Sequence, residues 1–483
     1  MTAAIAERRF LAVPMLMGSG LVLGAFASVQ PKLALGLVAT IAVALIAFRA
    51  PGANLVLLVF LTALVPSELL NRFGVGGGAE SPGLFVSDLL LMAGLVWALV
   101  VLSDKPLERR TYLYAVLMLV FLGAVVLQFM HGVEAGHDRS RVGHEARVLL
   151  GFGSFLMALP LLADRRARRR LLVALTGLAV ALGVWGMIQW FGNLSYGVNV
   201  GVREGVRLTT AGKGQLQGGE YAFPVVVVVC FAALLSGSIR SLAARVALVL
   251  AILLSAASCL VTFERTFWMA TLLGVTIVFL RAGGTQRAKV LLLAPIAAVV
   301  AVGVLAVAAP RELTTAQERL ISLGQYSSDT SVRYRVAESR FVLDEIRAAP
   351  VVGSGLAATI FWGRPWDQVP AKSYPFAHNG YLWLAWKLGI PAAALLAILF
   401  ASAVFVRSRP QDGDLDRALR HGAQAALAGL LLATVTFPSF SNLSITTVMG
   451  LLLAFAVAPA PRPDPVSAGL YPAAVDAPGS HQR

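Results

Sequence analysis

The stretch TYLYAVLMLVFLGAVVLQFM, residues 111–130, decides the fold. It carries no charge from end to end, while Lys105, Glu108, Arg109 and Arg110 crowd its leading edge. A bilayer's hydrocarbon core asks for about 20 predominantly apolar residues of helix, because only a segment that satisfies its own backbone hydrogen bonds can cross it. Residues 111–130 meet that requirement, and their flank is basic as cytoplasmic loops are.

The same pattern recurs on both sides. Toward the N-terminus it fills 10–29, 33–48, 53–70 and 84–102. Toward the C-terminus it fills 147–162, 171–191, 221–237, 243–263, 266–281, 288–309, 380–406, 418–437 and 443–457. The expected fold is an all-α polytopic membrane protein with about fourteen transmembrane helices and one large extracytoplasmic loop. Composition agrees: 58% of residues are hydrophobic and only 13% charged, where soluble domains carry about 25% charged. The net charge of +15 does not point to nucleic acid, since no basic groove with interleaved aromatics accompanies it. Cys230 and Cys259 lie inside apolar runs at different depths, so neither a disulfide nor a metal site is indicated. Arg8 and Arg9 precede the first apolar run without a small-residue cleavage site, so a retained first helix is expected rather than a signal peptide.

Lysine and arginine set the expected orientation. The short loops 105–110, 163–170, 240–245, 281–289 and 407–420 are all basic and fall on one parity, the cytoplasmic one. Both termini are then cytoplasmic, and segments 192–220 and 310–379 are extracytoplasmic. The organisation expected is an N-terminal set of transmembrane helices at 1–206, a core at 207–458 that includes the loop 310–379, and a disordered cytoplasmic tail at 459–483. Glycine-rich 74–78 has neither the lysine nor the context of a phosphate loop and reads as a linker. Within the long loop, 331–349 reads as a helix. Its apolar stripe is Val336, Leu343 and Ile346, beside Arg333, Arg340 and Arg347 at sevenfold spacing. Such a helix suits a membrane surface or a cap on the bundle with a solvated basic face. Pro350 stops it, and Gly353-Ser354-Gly355 makes a turn.

Basic residues on the extracytoplasmic side run against the charge rule. They are Arg203, Arg207 and Lys213 in one segment, Arg265 between two spans, and Arg333, Arg335 and Arg340 in the long loop. Arginine near hydrocarbon is costly and is usually functional or snorkelling. Arg265 has a plain reading as a turn residue beside Glu264 or an interface anchor. Its functional reading is an anion site, because guanidinium groups grip phosphate oxygens in bidentate fashion and stay charged. A lipid-linked diphosphate is the natural anion at that depth. No extracytoplasmic carboxylate cluster has metal-ligand spacing, so no metal or other cofactor is expected, and arginines would neutralise the leaving diphosphate. The candidate base is His378, followed by Asn379, at the junction of loop and span. A lone histidine is more often structural. His131, His137 and His144 crowd another outer loop, with spacings that fit no strong metal pattern.

Together these residues resemble the O-antigen ligase and polymerase superfamily from Arg207 to about Leu399. The resemblance rests on Arg207-Leu208-Thr209 before Tyr221-Ala222-Phe223, on Glu264-Arg265-Thr266 opening a span, and on the core from Arg335 through Pro350 and Gly353-Ser354-Gly355 to His378-Asn379-Gly380 and Gly389-Ile390-Pro391. Where the family often has Asn before the Tyr221 span, this chain has Glu220. The resemblance implies a GT-C-like glycosyltransferase of the bacterial inner membrane. Such an enzyme moves a glycan from an undecaprenyl-diphosphate carrier to a glycan or lipid-linked acceptor on the outer face, with inversion and without metal. It implies that Arg207, Arg265 and Arg335, with Arg203 and Arg340 nearby, hold the diphosphate. It implies too that His378 activates the acceptor hydroxyl with Asn379 in support. Ligase-type transfer and polymerisation of carrier-linked repeat units both fit. A transporter or flippase is the alternative of another class, and no internal repeat supports it.

Overall fold

The computed structural model describes residues 42–65, 85–104, 107–191, 221–262, 264–292, 314, 317, 330–364, 369–409 and 412–458. The expected span 10–29, most of 33–48 and 288–309, the segment 192–220 and the tail 459–483 lie outside the described residues. What is described is mostly helix. In chain order the helices are α1 (Pro51–Leu64), α2 (Val86–Asp104), α3 (Arg109–Glu134), α4 (Arg139–Leu150), α5 (Ser154–Ala163), α6 (Arg165–Phe191), α7 (Ala222–Leu235), α8 (Leu242–Val261) and α9 (Arg265–Arg281). Then come α10 (Thr330–Ala348), strands β1 (Ile360–Arg364) and β2 (Val369–Tyr374), α11 (Gly380–Leu388), α12 (Ile390–Val404), α13 (Asp414–Thr434) and α14 (Leu443–Val457).

Five helical stretches among the described residues are long and apolar enough to cross a membrane: α2, α3, Arg139–Ala163, residues 165–189 of α6, and α8. Shorter apolar helices α1, α7, α12 and α14 pack among them. The protein is an integral membrane protein. α4 and α5 run on as one span through a 3-10 turn at Gly151–Gly153, so this span begins eight residues before the expected 147.

α14 is buried on nearly every side, as a helix apolar all round must be. Thr446 and the serine of α5 bind backbone across the contact: Thr446 Oγ1–H donates to Val148 O (2.5 Å) and Ser154 Oγ–H to Thr447 O (2.7 Å). Small residues let the other helices close up, with α13's Gly429 against Ala270 of α9 and Gly422 against Val229 and Ala232 of α7.

The bundle has two distinguishable ends. Salt bridges Arg168–Asp416 and Arg409–Glu108 join the starts of α6, α13 and α3 at one end, and Arg281 reaches Gln424 and Val404 O there. This is the basic end. The opposite, loop end carries α10, the hairpin, and the starts of α7, α9, α11 and α14. Tyr221, Phe267 and Phe437 stack there at ring separations of 5.2–5.3 Å.

Three expectations change. The span read at 380–406 is two helices broken at Gly389, whose φ is +82°. A Cβ there would lie 2.0 Å from Val351 O, so only glycine lets the loop backbone approach this closely. The long loop, expected to hold a helix and a turn, adds two short antiparallel strands, β1 and β2, with Ile360 opposite Tyr374, to a bundle that is helical as expected. Finally, α10 is turned differently from its expected stripe. Val336 and Leu343 are exposed, whereas Glu338, Val342 and Ile346 face the core at i, i+4 and i+8.

Candidate active site

His378 sits just before α11, and Asn379 is that helix's N-cap. The Asn379 Oδ1 accepts from the N–H groups of Tyr381 (3.0 Å) and Leu382 (3.1 Å), closing the open first turn. This cap fixes the backbone at which the histidine leaves the helix. The histidine itself is held by Glu338 of α10. Its backbone N–H donates to Glu338 Oε2 (2.8 Å), and its Nδ1 lies 3.0–3.1 Å from both carboxylate oxygens. An ionised carboxylate only accepts, so in the neutral ring Nδ1 is the nitrogen that carries the proton, and Nε2 is the one left with a lone pair. Glu338 is 1% exposed, while the His378 side chain keeps 19% of its surface. Tyr334 and Phe376 flank the ring edge-on at 5.3 and 5.5 Å. Trp362 of β1 stacks behind Tyr334 at 4.8 Å, which ties the hairpin to the same cluster.

The loop that supports this dyad is bolted to the bundle. The turn after α10 is stitched to the α11–α12 break: Ile390 N–H donates to Pro350 O (2.8 Å), Ser354 N–H to Trp386 O (2.8 Å) and Gly355 N–H to Lys387 O (3.2 Å). From beneath, Gln128 of α3 donates to Val352 O (2.5 Å), and His137 Nδ1 meets Leu356 O at 2.7 Å. Glu145 of α4 accepts from Ala357 N–H (2.7 Å) and from Lys387 Nζ (3.1 Å), and Lys387 also donates to Ala358 O (2.5 Å). The Lys387 ammonium lies 4.2 Å from the centre of the Trp386 ring and is 0% exposed. A buried charge persists only with partners such as these. Ala357 takes a positive φ of 62°, a conformation an alanine adopts only where its surroundings hold it.

Arg265 is the first residue of α9 and is half-buried. Its neighbour Thr266 meets Thr436 at 3.1 Å between hydroxyls, and Gly380 packs on Thr434 and Phe437 O from the other side. The turn after α13 therefore brings Arg265 and His378 to the same end of the bundle. Arg335 lies one turn before Glu338 on the same face of α10 and is half-buried. Arg340 is exposed on the outward face with Arg333 and Arg347. Arg203 and Arg207 lie outside the described residues.

Sequence reasoning missed Glu338 and Glu145. A signal for Glu338 existed: a carboxylate in phase with Val342 and Ile346 on an amphipathic helix is a buried acid in need of a partner.

The apolar helices and a loop-borne histidine and arginine set define a membrane-embedded protein with its polar constellation at one end. A model of the O-antigen ligase family matches residues 250–397, and this places that stretch in the O-antigen ligase and polymerase superfamily. The match covers less than a third of the 483 residues, yet it holds Arg265, Arg335, Glu338 and His378. No curated protein matches the chain.

Proposed function

We propose that the protein is a glycosyltransferase of the O-antigen ligase type. It transfers a glycan from an undecaprenyl-diphosphate carrier to an acceptor hydroxyl at the outer face of the inner membrane. The observation that carries the reading is the double hold of Glu338 on His378. A carboxylate that fixes one imidazole nitrogen as donor leaves the other as an oriented base, the arrangement general-base catalysis needs.

In this reading Nε2 takes the proton of the acceptor hydroxyl as its oxygen bonds to the anomeric carbon. The bond from that carbon to the carrier diphosphate breaks on the opposite face, so the configuration inverts. The electron pair leaves with the diphosphate, and Arg265 and Arg335 meet its growing charge. Arg203 and Arg207 extend the same anion site, and Asn379 supports His378 through the cap of α11. Arg340, on the outward face, contributes to drawing in the anionic substrate rather than to gripping it.

The test is transfer by purified protein given the carrier-linked donor, with and without candidate acceptors. His378→Ala should lose about 10²–10⁴-fold in rate while still retaining donor. Near-normal turnover in that variant overturns the assignment. A ladder formed from donor alone would make the activity polymerisation rather than ligation.

A further inference from the structure

A groove of about 840 Å³ opens between α1, α6, α7, α8, α13 and α14, away from the His378 site. Its walls are apolar, drawn from residues such as Leu175, Leu182, Val226, Leu248, Leu419 and Leu451. One end differs. Arg165, Arg169 and Arg240 line it with Ser238 and Ser241. Arg168 is there too, but Asp416 neutralises it at 2.6 Å. Asp164, just outside, is spent on capping α6 through Ala167 N–H. Among the described residues, Arg165, Arg169 and Arg240 form no salt bridge.

We infer that this groove is a binding site for an anionic phospholipid, its phosphate held by Arg165, Arg169 and Arg240 and one acyl chain lying along α6. Charge and length argue for this occupant. From Arg165 to Leu182 the groove runs ~25 Å at 1.5 Å per residue, more than the ~15 Å depth of one leaflet's hydrocarbon. A full fatty-acyl chain therefore fits without leaving the wall. A prenyl carrier bound for reaction would have its diphosphate at the opposite, Arg265 end, and its apolar tail would run into three arginines. A phospholipid with its headgroup at the basic end meets both the charge and the apolar wall.

The test uses the full chain, delipidated in neutral detergent, with phosphatidylglycerol, phosphatidylcholine and undecaprenyl phosphate as probes in native mass spectrometry. Phosphatidylglycerol should be retained at least tenfold better than phosphatidylcholine. Each of Arg165→Gln, Arg169→Gln and Arg240→Gln should weaken it about fivefold, the effect of one cation near an anionic lipid. These positions are exposed, so the variants keep the fold. Ala179→Trp, which fills the groove, should displace the lipid while the three arginines remain. Equal retention of the two phospholipids, or undisturbed preference in the triple glutamine variant, overturns the site. Displacement of phosphatidylglycerol by equimolar undecaprenyl phosphate would give the groove to the carrier instead.

Discussion

At the basic end of the bundle, arginines are tied to one another's helices by carboxylates that range from half-exposed Glu108 to fully buried Asp412. Arg168 meets Asp416, Arg420 meets Asp412 at 3.2 Å, and Arg409 meets Glu108. At the loop end the carboxylates are the buried partners. Glu338 holds a histidine, and Glu145 holds a lysine together with a strand of loop backbone. The first pattern ties helix starts together: the half-exposed Arg409–Glu108 pair contributes little alone, while the buried Arg420–Asp412 pair is completed by Ala458 O and Arg409 N–H. The second adds polar ties to a loop already seated by Val342, Leu356, Ile360 and Trp362, and fixes one side chain's orientation. Charge at one end joins helix to helix, and charge at the other fixes a loop and the histidine beside it.

That contrast breaks outright if the two ends share a side of the membrane. With Cys230 and Cys259 replaced, Ser354→Cys and Ser408→Cys should be labelled by an impermeant thiol reagent from opposite sides, Ser354→Cys from outside. Labelling of both from one side removes the distinction and the site with it. The next largest effect is expected at Lys387. Lys387→Met strands Glu145 in the interior and should cost about 3–5 kcal/mol, read by thermal unfolding of purified protein. Adding Glu145→Gln should recover part of that loss; an undiminished loss in the double variant would mean that Lys387 acts through packing.

Arg265→Ala should lower transfer about 10²–10³-fold, the scale of removing one preorganised donor to developing charge. Arg265→Lys keeps the charge but not the two parallel donors, and should recover little. Wild-type rates in the lysine variant would make Arg265 an interface anchor. Glu338→Gln retains shape and an acceptor for the His378 backbone N–H, yet frees the ring to take either tautomer. A loss of about 10–100-fold in rate, with unchanged donor retention, is expected. The smallest effect belongs to Arg340→Gln on the outward face of α10, within about 0.5 kcal/mol in stability and with only a modest drop in apparent donor affinity at low salt. A collapse of activity there would move the diphosphate site outward.

Apolar run length and loop charge made most of the helical architecture legible, because lipid punishes any other arrangement. The parts that stayed hidden are those set by tertiary contact. Gly389 looks like one more residue of a long apolar span until Val351 O is found against it. The pairing of Glu338 with His378 joins residues forty apart through a helix whose phase was misjudged. The sevenfold spacing of Arg333, Arg340 and Arg347 was plain, but the same spacing turns all three away from the core. Arg265 and Arg335 stood out as arginines on the side the charge rule leaves poor in them, and His378 as a titratable group at the junction of loop and span.

The loop that carries Glu338 is fastened by Gln128 from α3, Glu145 from α4 and Lys387 from α11. Gln128 and Glu145 come from one helical hairpin, α3 and α4, whereas Lys387 is made 242 residues after Glu145. The loop cannot seat until all three have been inserted in the correct sense and packed together. Seating of the loop therefore waits on α11, the last of the three helices to be made. A chain stalled or inverted at any of these helices leaves an unseated loop, open to proteolysis and unable to align its base.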